Sequence, residues 1–173
     1  MTGSHKHLGV TFSSDGKWND HIENILASVS KHINMLRKLK YRLNRSNFEK
    51  LYLVYIRPIF EYASEVWDNC GVVNTNKLEQ LQLETARIIT ELPIFTKSDF
   101  VYKEIGWETL PARRQRRKLQ LFYNIQNNSP PDYLCKMIPP KIQSTTTYPL
   151  RNGNDIIVPF CRLTLTSESY CYY

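Results

Sequence analysis

Residues 18–43 read WNDHIENILASVSKHINMLRKLKYRL, and their pattern indicates a helical chain. Its apolar side chains recur at steps of three and four residues, which is the spacing of one face of an α-helix. The members of this stripe are Trp18, Ile22, Ile25, Leu26, Val29, Ile33, Leu36, Leu39 and Leu43. The pattern predicts one long helix of about 39 Å, with its apolar face buried against other elements.

The neighbouring segments carry their own signals. Residues 7–12 alternate in character and predict a short strand, which ends at the turn over residues 14–16. After the long helix, Ser46 and Glu49 fit a capping box, so a second helix is expected to begin there. Its apolar spacing continues through Pro58, and a proline inside a helix predicts a kink or a break.

Three further helices are predicted towards the C-terminus. Gly71 and the Asn-rich stretch 74–76 are expected to end the second element, and a third helix then covers about 78–92. A fourth helix covers about 98–105, with Gly106 as its C-terminal stop. A fifth runs over about 111–127, because a proline suits the first helical position.

The chain is therefore predicted to be mainly α: a bundle of about five helices with a short N-terminal strand, over residues 7–128. Residues 129–173 form a Pro/Thr-rich, irregular tail, because prolines oppose a sustained helix. Those prolines are Pro130, Pro131, Pro139, Pro140, Pro149 and Pro159. Only a helical turn near 134–138 and short strands at 156–158 and 163–165 are expected there.

Several classes of protein are excluded by composition. The longest apolar run, 51–56, is too short to span a bilayer, and no signal-peptide core is present, so a cytoplasmic or nuclear chain that is not secreted is expected.

The sequence also lacks the common patterns of a metal or cofactor site. The four cysteines form no C-x-x-C pair, and His5 and His7 have no third ligand nearby. There is no G-x-x-x-x-G-K phosphate loop. No metal or cofactor is therefore expected.

The net charge of +7 is unevenly distributed. Residues 31–60 hold eight basic residues and one acid, whereas residues 61–108 hold four basic residues and nine acids. Residues 109–173 hold nine basic residues and three acids. Two basic blocks around an acidic one suit a protein that binds a polyanion, although solvated helix faces also become uneven by chance.

The densest basic cluster is RRQRRK at residues 113–118. On a helix, side chains four residues apart share a face, so the cluster predicts a cationic ridge that suits phosphate oxygens. The main phosphate contacts predicted are Arg113, Arg114, Arg116, Arg117 and Lys118. Secondary contacts are predicted at Arg37, Lys38, Lys40 and Arg42. The alternatives for the ridge are a solvated helix face or salt bridges to the acidic block.

Aromatic residues lie close to the first basic block. Tyr41 lies among the cations, where a ring can stack on a sugar or a base, whereas Phe48 fits the spacing of the core. The later aromatics follow the apolar stripe and are predicted to be interior side chains with polar tips. They are Tyr52, Tyr55, Tyr62 and Trp67.

A series of motifs carries a family resemblance over about residues 7–134. In order they are Leu8-Gly9-Val10, Trp18-x-x-His21-Ile22, Leu51-Tyr52-x-x-Tyr55-Ile56-Arg57-Pro58-Ile59-x-Glu61-Tyr62-Ala63-x-x-Val66-Trp67, Leu78-Glu79-x-x-Gln82, Ala86-Arg87-Ile88-Ile89, Arg113-Arg114 and Ser129-Pro130-Pro131-x-Tyr133-Leu134. This series resembles the segment that follows the palm in jockey-type non-LTR retrotransposon reverse transcriptases. Val158-Pro159-x-Cys161-Arg162 resembles the same family more weakly.

The resemblance implies that Leu8-Gly9-Val10 closes the palm and that the following helices form the thumb. The polymerase carboxylates would lie upstream of residue 1. The chain has no Asp-Asp pair to hold two metal ions about 4 Å apart, so no catalytic residue is predicted.

The function expected is that of a non-catalytic C-terminal region of an RNA-directed DNA polymerase. It would contact the phosphate backbone of the primer–template, RNA or an RNA–DNA duplex, without reading sequence, and the palm domain would be a second partner. No contact with a membrane is expected. The alternatives are a helical protein-interaction module and a non-functional remnant of a decayed element.

Overall fold

A computed structural model describes residues 3–127, 131–135 and 138–157 of the chain. The chain forms two compact units, residues 1–115 and residues 116–173. The described residues are mainly α-helical, with one two-stranded sheet near the N-terminus. The predicted fold class is confirmed.

The N-terminal sheet is a hairpin. Strand β1 (Ser4–His7) pairs antiparallel with β2 (Val10–Ser13). Leu8 and Gly9 form the two-residue turn, with φ of 45° and 86°, and such a pair of left-handed residues matches the twist of the two strands. The single strand predicted over 7–12 is therefore wrong, because the turn divides it.

Helix α1 (Asn19–Leu39) is shorter than predicted at both ends. It packs against α5 (Val72–Thr90) and β2. The apolar stripe seen in the sequence is the face that it buries, so periodicity predicted the orientation of α1 correctly. The buried stripe residues are Ile22, Ile25, Val29, Ile33 and Leu36.

Helix α2 (Arg45–Leu51) begins earlier than predicted because Asn44, not Ser46, caps it. The Asn44 side chain accepts a hydrogen bond from the Asn47 backbone N–H at 3.0 Å. Asparagine is among the best N-cap residues, so the helix begins after Asn44, two residues before the predicted cap at Ser46.

The chain stays helical through the predicted break. A π-helical turn (Tyr52–Ile56) follows α2 and leads into α3 (Arg57–Glu61), which holds Pro58 in its first turn. In a regular α-helix the proline ring would collide with the carbonyl four residues earlier, and the wider π turn lies where that clash would arise. After Ala63, at φ 50°, the short helix α4 (Ser64–Trp67) follows.

The next helices follow the sequence pattern more closely. Gly71, at φ 83°, separates α4 from α5 as predicted, whereas residues 74–76 lie inside α5, which already starts at Val72. Helix α6 (Ser98–Ile105) has the predicted bounds, and Gly106 ends it at φ 71°. Helix α7 (Leu110–Asn127) begins one residue earlier than predicted.

The helices of the first unit share one apolar core. Its largest fully buried side chains include Trp67, Tyr52 and Phe60. Trp107 stacks on Tyr52 with 3.7 Å between ring centroids. The core thus holds the π turn and the segment that leads into α7 together.

The second unit holds α8 (Asp132–Cys135), near the helical turn predicted at 134–138, and α9 (Ile142–Thr145). Lys141 and Ile156 form an isolated antiparallel bridge, and the Ile142 N–H donates to the Asp155 carbonyl at 2.9 Å. The boundary predicted at 128/129 and the strand predicted at 163–165 lie outside the described residues.

Candidate nucleic-acid interface

Arg113, predicted to contact phosphate, lies inside the first unit and is only 7% exposed. Its Nη2 donates to the Tyr52 hydroxyl at 3.1 Å and to the Gln82 side-chain oxygen. Its Nε lies 2.9 Å from Glu61 Oε1. Protein groups surround this guanidinium, so the prediction of a phosphate contact at Arg113 is corrected.

Arg114 is more deeply buried, at 1% exposure. Its Nη1 lies 3.2 Å from Asp68 Oδ1, and its guanidinium carbon lies 5.3 Å from the centroid of the Trp67 ring. An ion pair combined with a cation–π contact stabilises a charge that burial would otherwise penalise. Arg114 is therefore an interior residue, and the prediction that it contacts phosphate is also corrected.

The positions of both arginines on α7 explain why the sequence was misleading. Leu110, Arg113 and Arg114 follow the i, i+3, i+4 spacing and form the buried stripe of α7. The charge of the cluster, taken alone, favours a surface ridge. The apolar Leu110 at the correct spacing, together with acids elsewhere in the chain, was the available signal that these positions face inward.

The rest of the predicted ridge belongs to the second unit, which begins at Arg116. Arg116 is exposed, whereas Arg117 and Lys118 are half-buried. Their contact with phosphate stays a prediction.

A buried polar network surrounds Arg113. Gln82 is fully buried, and its oxygen accepts from the Tyr52 hydroxyl at 2.7 Å. Its amide nitrogen donates to the Glu108 carbonyl at 3.0 Å and lies 3.4 Å from the Tyr102 hydroxyl. One amide thus joins the π turn, α6, the loop before α7 and Arg113 of α7, and its donors and acceptor are all in use.

Glu79 extends this network along α5. It accepts from the Tyr102 hydroxyl and from the Leu110 N–H, the latter at 2.9 Å. Burial raises the pKa of Tyr102, and the nearby Glu79 carboxylate raises it further. Burial also raises the pKa of Tyr52. Both phenols therefore remain protonated and keep donating at neutral pH.

The members of this network come from the motifs that carry the family resemblance. Tyr52 and Glu61 belong to the longest motif, Glu79 and Gln82 to the next, and Arg113 to the arginine pair. In the structure these side chains hold helices together. The resemblance therefore rests largely on residues that build the fold.

The secondary cluster at the end of α1 remains at the surface. Lys38 and Arg42 are exposed and Lys40 is half-buried. Within the described residues none of the three forms an ion pair. We call Lys38, Lys40, Tyr41 and Arg42 the α1-end surface.

The flanking arginines differ from these three cations. Arg37 pairs with Glu84. Arg45 pairs with Glu104 at 2.9 Å and Glu49 at 3.0 Å, and these carboxylates raise its pKa. The structure thus separates the first basic block into arginines that join helices and a group of three cations without an acidic partner in the described chain.

Neutralising the helix dipole is the simplest structural role for cations at a helix C-terminus. The end of α1 carries roughly half a negative charge. Arg37 lies in that last turn, and Lys38, Lys40 and Arg42 add three positive charges. The partial negative charge of the helix end offsets only a fraction of these positive charges, so the α1-end surface remains electropositive.

The aromatic residues divide into two groups. Phe48, Tyr52 and Trp67 are buried, as predicted. Tyr55 and Tyr62 are more than half exposed, so their predicted interior placement is wrong. The Tyr62 hydroxyl instead donates to the Leu8 carbonyl at 2.6 Å and fixes the hairpin turn.

Among the described residues, no three His, Cys, Asp or Glu side chains are grouped so that they could hold a metal ion. In the same ranges, each helix is too short or too polar to span a bilayer.

Comparison with known proteins gives one distant similarity. No protein-family profile matches the chain, and no solved structure matches it. Over 117 residues the chain is 22% identical to the "Probable RNA-directed DNA polymerase from transposon BS" of Drosophila melanogaster. The match covers 64% of this chain and 13% of that protein, so the chain corresponds to a small part of it. This similarity supports an origin in a transposon-encoded RNA-directed DNA polymerase.

Proposed function

We propose that the chain is the thumb and post-thumb region of a jockey-type retrotransposon reverse transcriptase. In this proposal it is not catalytic by itself. It holds an RNA or RNA–DNA primer–template by the phosphate backbone, without reading the base sequence. The similarity to a transposon polymerase and the mainly helical fold support the proposal.

The observation that carries the proposal is the α1-end surface. Lys38, Lys40 and Arg42 place three cations within five residues, and none has an acidic partner among the described residues. Lysine and arginine bind phosphate oxygens and release condensed counterions, which drives association with any nucleic-acid sequence. Arg116, Arg117 and Lys118 are proposed as further phosphate contacts.

The acidic block gives little support to the rival function, a module that binds proteins through its acids. Most of these acids are occupied within the chain by ion pairs or hydrogen bonds. They are Glu61, Asp68, Glu79, Glu84 and Glu104. A surface of free carboxylates for another protein is therefore largely missing from this block.

A different observation favours a protein contact. Tyr55 and Tyr62 are 57% and 55% exposed. Exposed aromatics are common at protein interfaces. We propose the palm domain of the full-length polymerase as the protein that covers them, in addition to the nucleic-acid contact.

Equilibrium binding to a fluorescent 20-base-pair RNA–DNA hybrid tests the main proposal. The variant Lys38→Gln/Lys40→Gln/Arg42→Gln removes three proposed phosphate contacts, so the slope of log K against log salt should become shallower by about 2.7. The control is Lys77→Gln/Lys97→Gln/Lys103→Gln, which removes the same charge from three other exposed lysines. This control should change the slope much less. Each of the two triple variants should bind two unrelated hybrid sequences with the same affinity.

Two results would overturn the proposal. One is that the two triple variants lose affinity equally, which would show that net charge alone drives binding. The other is that the parent chain does not bind the hybrid at low salt.

A further inference from the structure

We propose that the α1-end surface binds single-stranded nucleic acid by stacking one base on Tyr41. The adjoining phosphates lie on Lys40 and Arg42. This inference rests on the proposed function and deepens it, because it names an unpaired strand as a second ligand of this surface beside the duplex.

Tyr41 is the most exposed large hydrophobic side chain of the described residues, at 92%. No hydrogen bond or ring contact of Tyr41 occurs within that part of the chain. Phe48, the next aromatic residue in the sequence, is 3% exposed and belongs to the core. Phe48 thus packs in the interior of the folded chain, whereas both faces of the Tyr41 ring are exposed to water.

The backbone holds Tyr41 at a defined place. It lies in the turn between α1 and α2, where the Lys40 N–H lies 3.4 Å from the Arg37 carbonyl and the Arg42 N–H donates to the Leu39 carbonyl at 2.8 Å. These contacts lie on either side of the tyrosine. Fixing the backbone before binding lowers the entropy that a ligand would otherwise have to offset.

Charge and stacking together select the class of ligand. A base within a duplex is already stacked on both faces, whereas a base in a single strand can offer a face to an aromatic ring. The cations on both sides of Tyr41 in sequence suit the phosphates that flank such a base. A ring between two cations is therefore better suited to an unpaired strand than to a continuous duplex.

Binding of the full chain to two probes tests the inference: a twelve-nucleotide oligouridine and a blunt 20-base-pair RNA–DNA hybrid. Loss of one stacked base costs about 1 kcal/mol or more, so Tyr41→Ala should weaken oligouridine binding at least about fivefold. Hybrid binding should not change. Tyr41→Phe keeps the ring and should bind both probes as the parent does. Tyr55→Ala, which removes another exposed tyrosine, should also leave both affinities unchanged.

The outcomes separate this inference from the proposed function. Stacking is overturned if Tyr41→Ala binds oligouridine like the parent, or if it loses both probes equally. Suppose that stacking is overturned but the Lys38→Gln/Lys40→Gln/Arg42→Gln variant has the shallower salt slope for the hybrid. The proposed function then stands without the stacked base. If the parent binds neither probe, both proposals fail.

Discussion

Arg113 and Glu61 form an ion pair inside the first unit, with Arg113 Nε 2.9 Å from Glu61 Oε1 and both side chains at most 13% exposed. Glu61 also accepts from Arg57 Nε at 2.8 Å, so one carboxylate serves two guanidinium groups. Removing charges from water is costly, and a buried pair is stable only when both partners are present. The pair therefore links the start of α7 to the end of α3, and loss of Arg113 leaves Glu61 with the more exposed Arg57 as its ion-pair partner.

Arg113→Gln should lower the free energy of unfolding by about 3–5 kcal/mol, because it leaves Glu61 without its most buried partner. Urea unfolding followed by circular dichroism measures this change. Lys103→Gln, at an exposed position of α6, should change the value by less than about 0.5 kcal/mol. Equal, small effects at the two positions would contradict the buried ion pair.

Gln82 should matter more for stability than Tyr52, its hydrogen-bond donor. Tyr52→Phe removes one buried hydroxyl and should cost about 1 kcal/mol. Gln82→Leu leaves the Tyr52 hydroxyl, the Arg113 guanidinium and the Glu108 carbonyl each short of a partner. It should cost at least about 2–3 kcal/mol. Urea unfolding of both variants checks the order, and the reverse order would contradict the network.

Periodicity predicted the helices because burial of an apolar face is visible in sequence spacing. The stripe of α1 and the bounds of α6 and α7 were predicted from local patterns, since each depends on residues close together in the chain. Hairpin pairing and capping were missed where two local signals competed. At Leu8-Gly9 the turn overrode the alternation, and at Asn44 the better cap preceded the predicted one.

The candidate site was harder to predict because charge alone does not reveal exposure. Arg113 and Arg114 have acidic partners more than forty residues away in sequence, at Glu61 and Asp68. No local pattern encodes such pairs. Lys38, Lys40 and Arg42 are candidates on charge alone, and only the structure shows that their neighbours Arg37 and Arg45 have acidic partners.

The part of the basic ridge beyond Gln115 can be tested separately. If Arg116, Arg117 and Lys118 contact phosphate, Arg116→Gln/Arg117→Gln/Lys118→Gln should make the salt slope of hybrid binding shallower by about 2.7. Glutamine keeps helix propensity high, so α7 should persist. Fluorescence anisotropy at several salt concentrations measures the slope. An unchanged slope would restrict the proposed phosphate contacts to the α1-end surface.

The purified chain should incorporate no nucleotide with any template, primer or divalent metal. Two-metal phosphoryl transfer requires clustered carboxylates, and the sequence has no adjacent aspartates. Incorporation of a labelled nucleotide into a primed template measures this activity. The control is a preparation that lacks the chain and has been purified identically. Activity that follows the chain through purification would show that the non-catalytic assignment is wrong.

His21 gives the fold a dependence on pH. The Thr11 N–H lies 3.3 Å from its Nδ1, so the neutral ring acts as acceptor and connects α1 to the hairpin. Burial lowers the pKa of His21, and the positive charge of Lys6 lowers it further. The rings of Trp18 and Trp67 lie against it edge-on, and among the described residues no acid pairs with it.

A lowered pKa means that the unfolded chain takes up this proton more readily than the folded one. The contribution of His21 is therefore fully present above about pH 6.5, the ordinary pKa of histidine, and is lost as the pH falls towards the folded pKa. The free energy of unfolding should decrease between pH 7.5 and 5.5. His21→Asn keeps an acceptor for Thr11 but cannot titrate, so most of this decrease should disappear. His5→Gln, at an exposed histidine, should leave the decrease intact, whereas an equal effect of both variants would show that another group causes it.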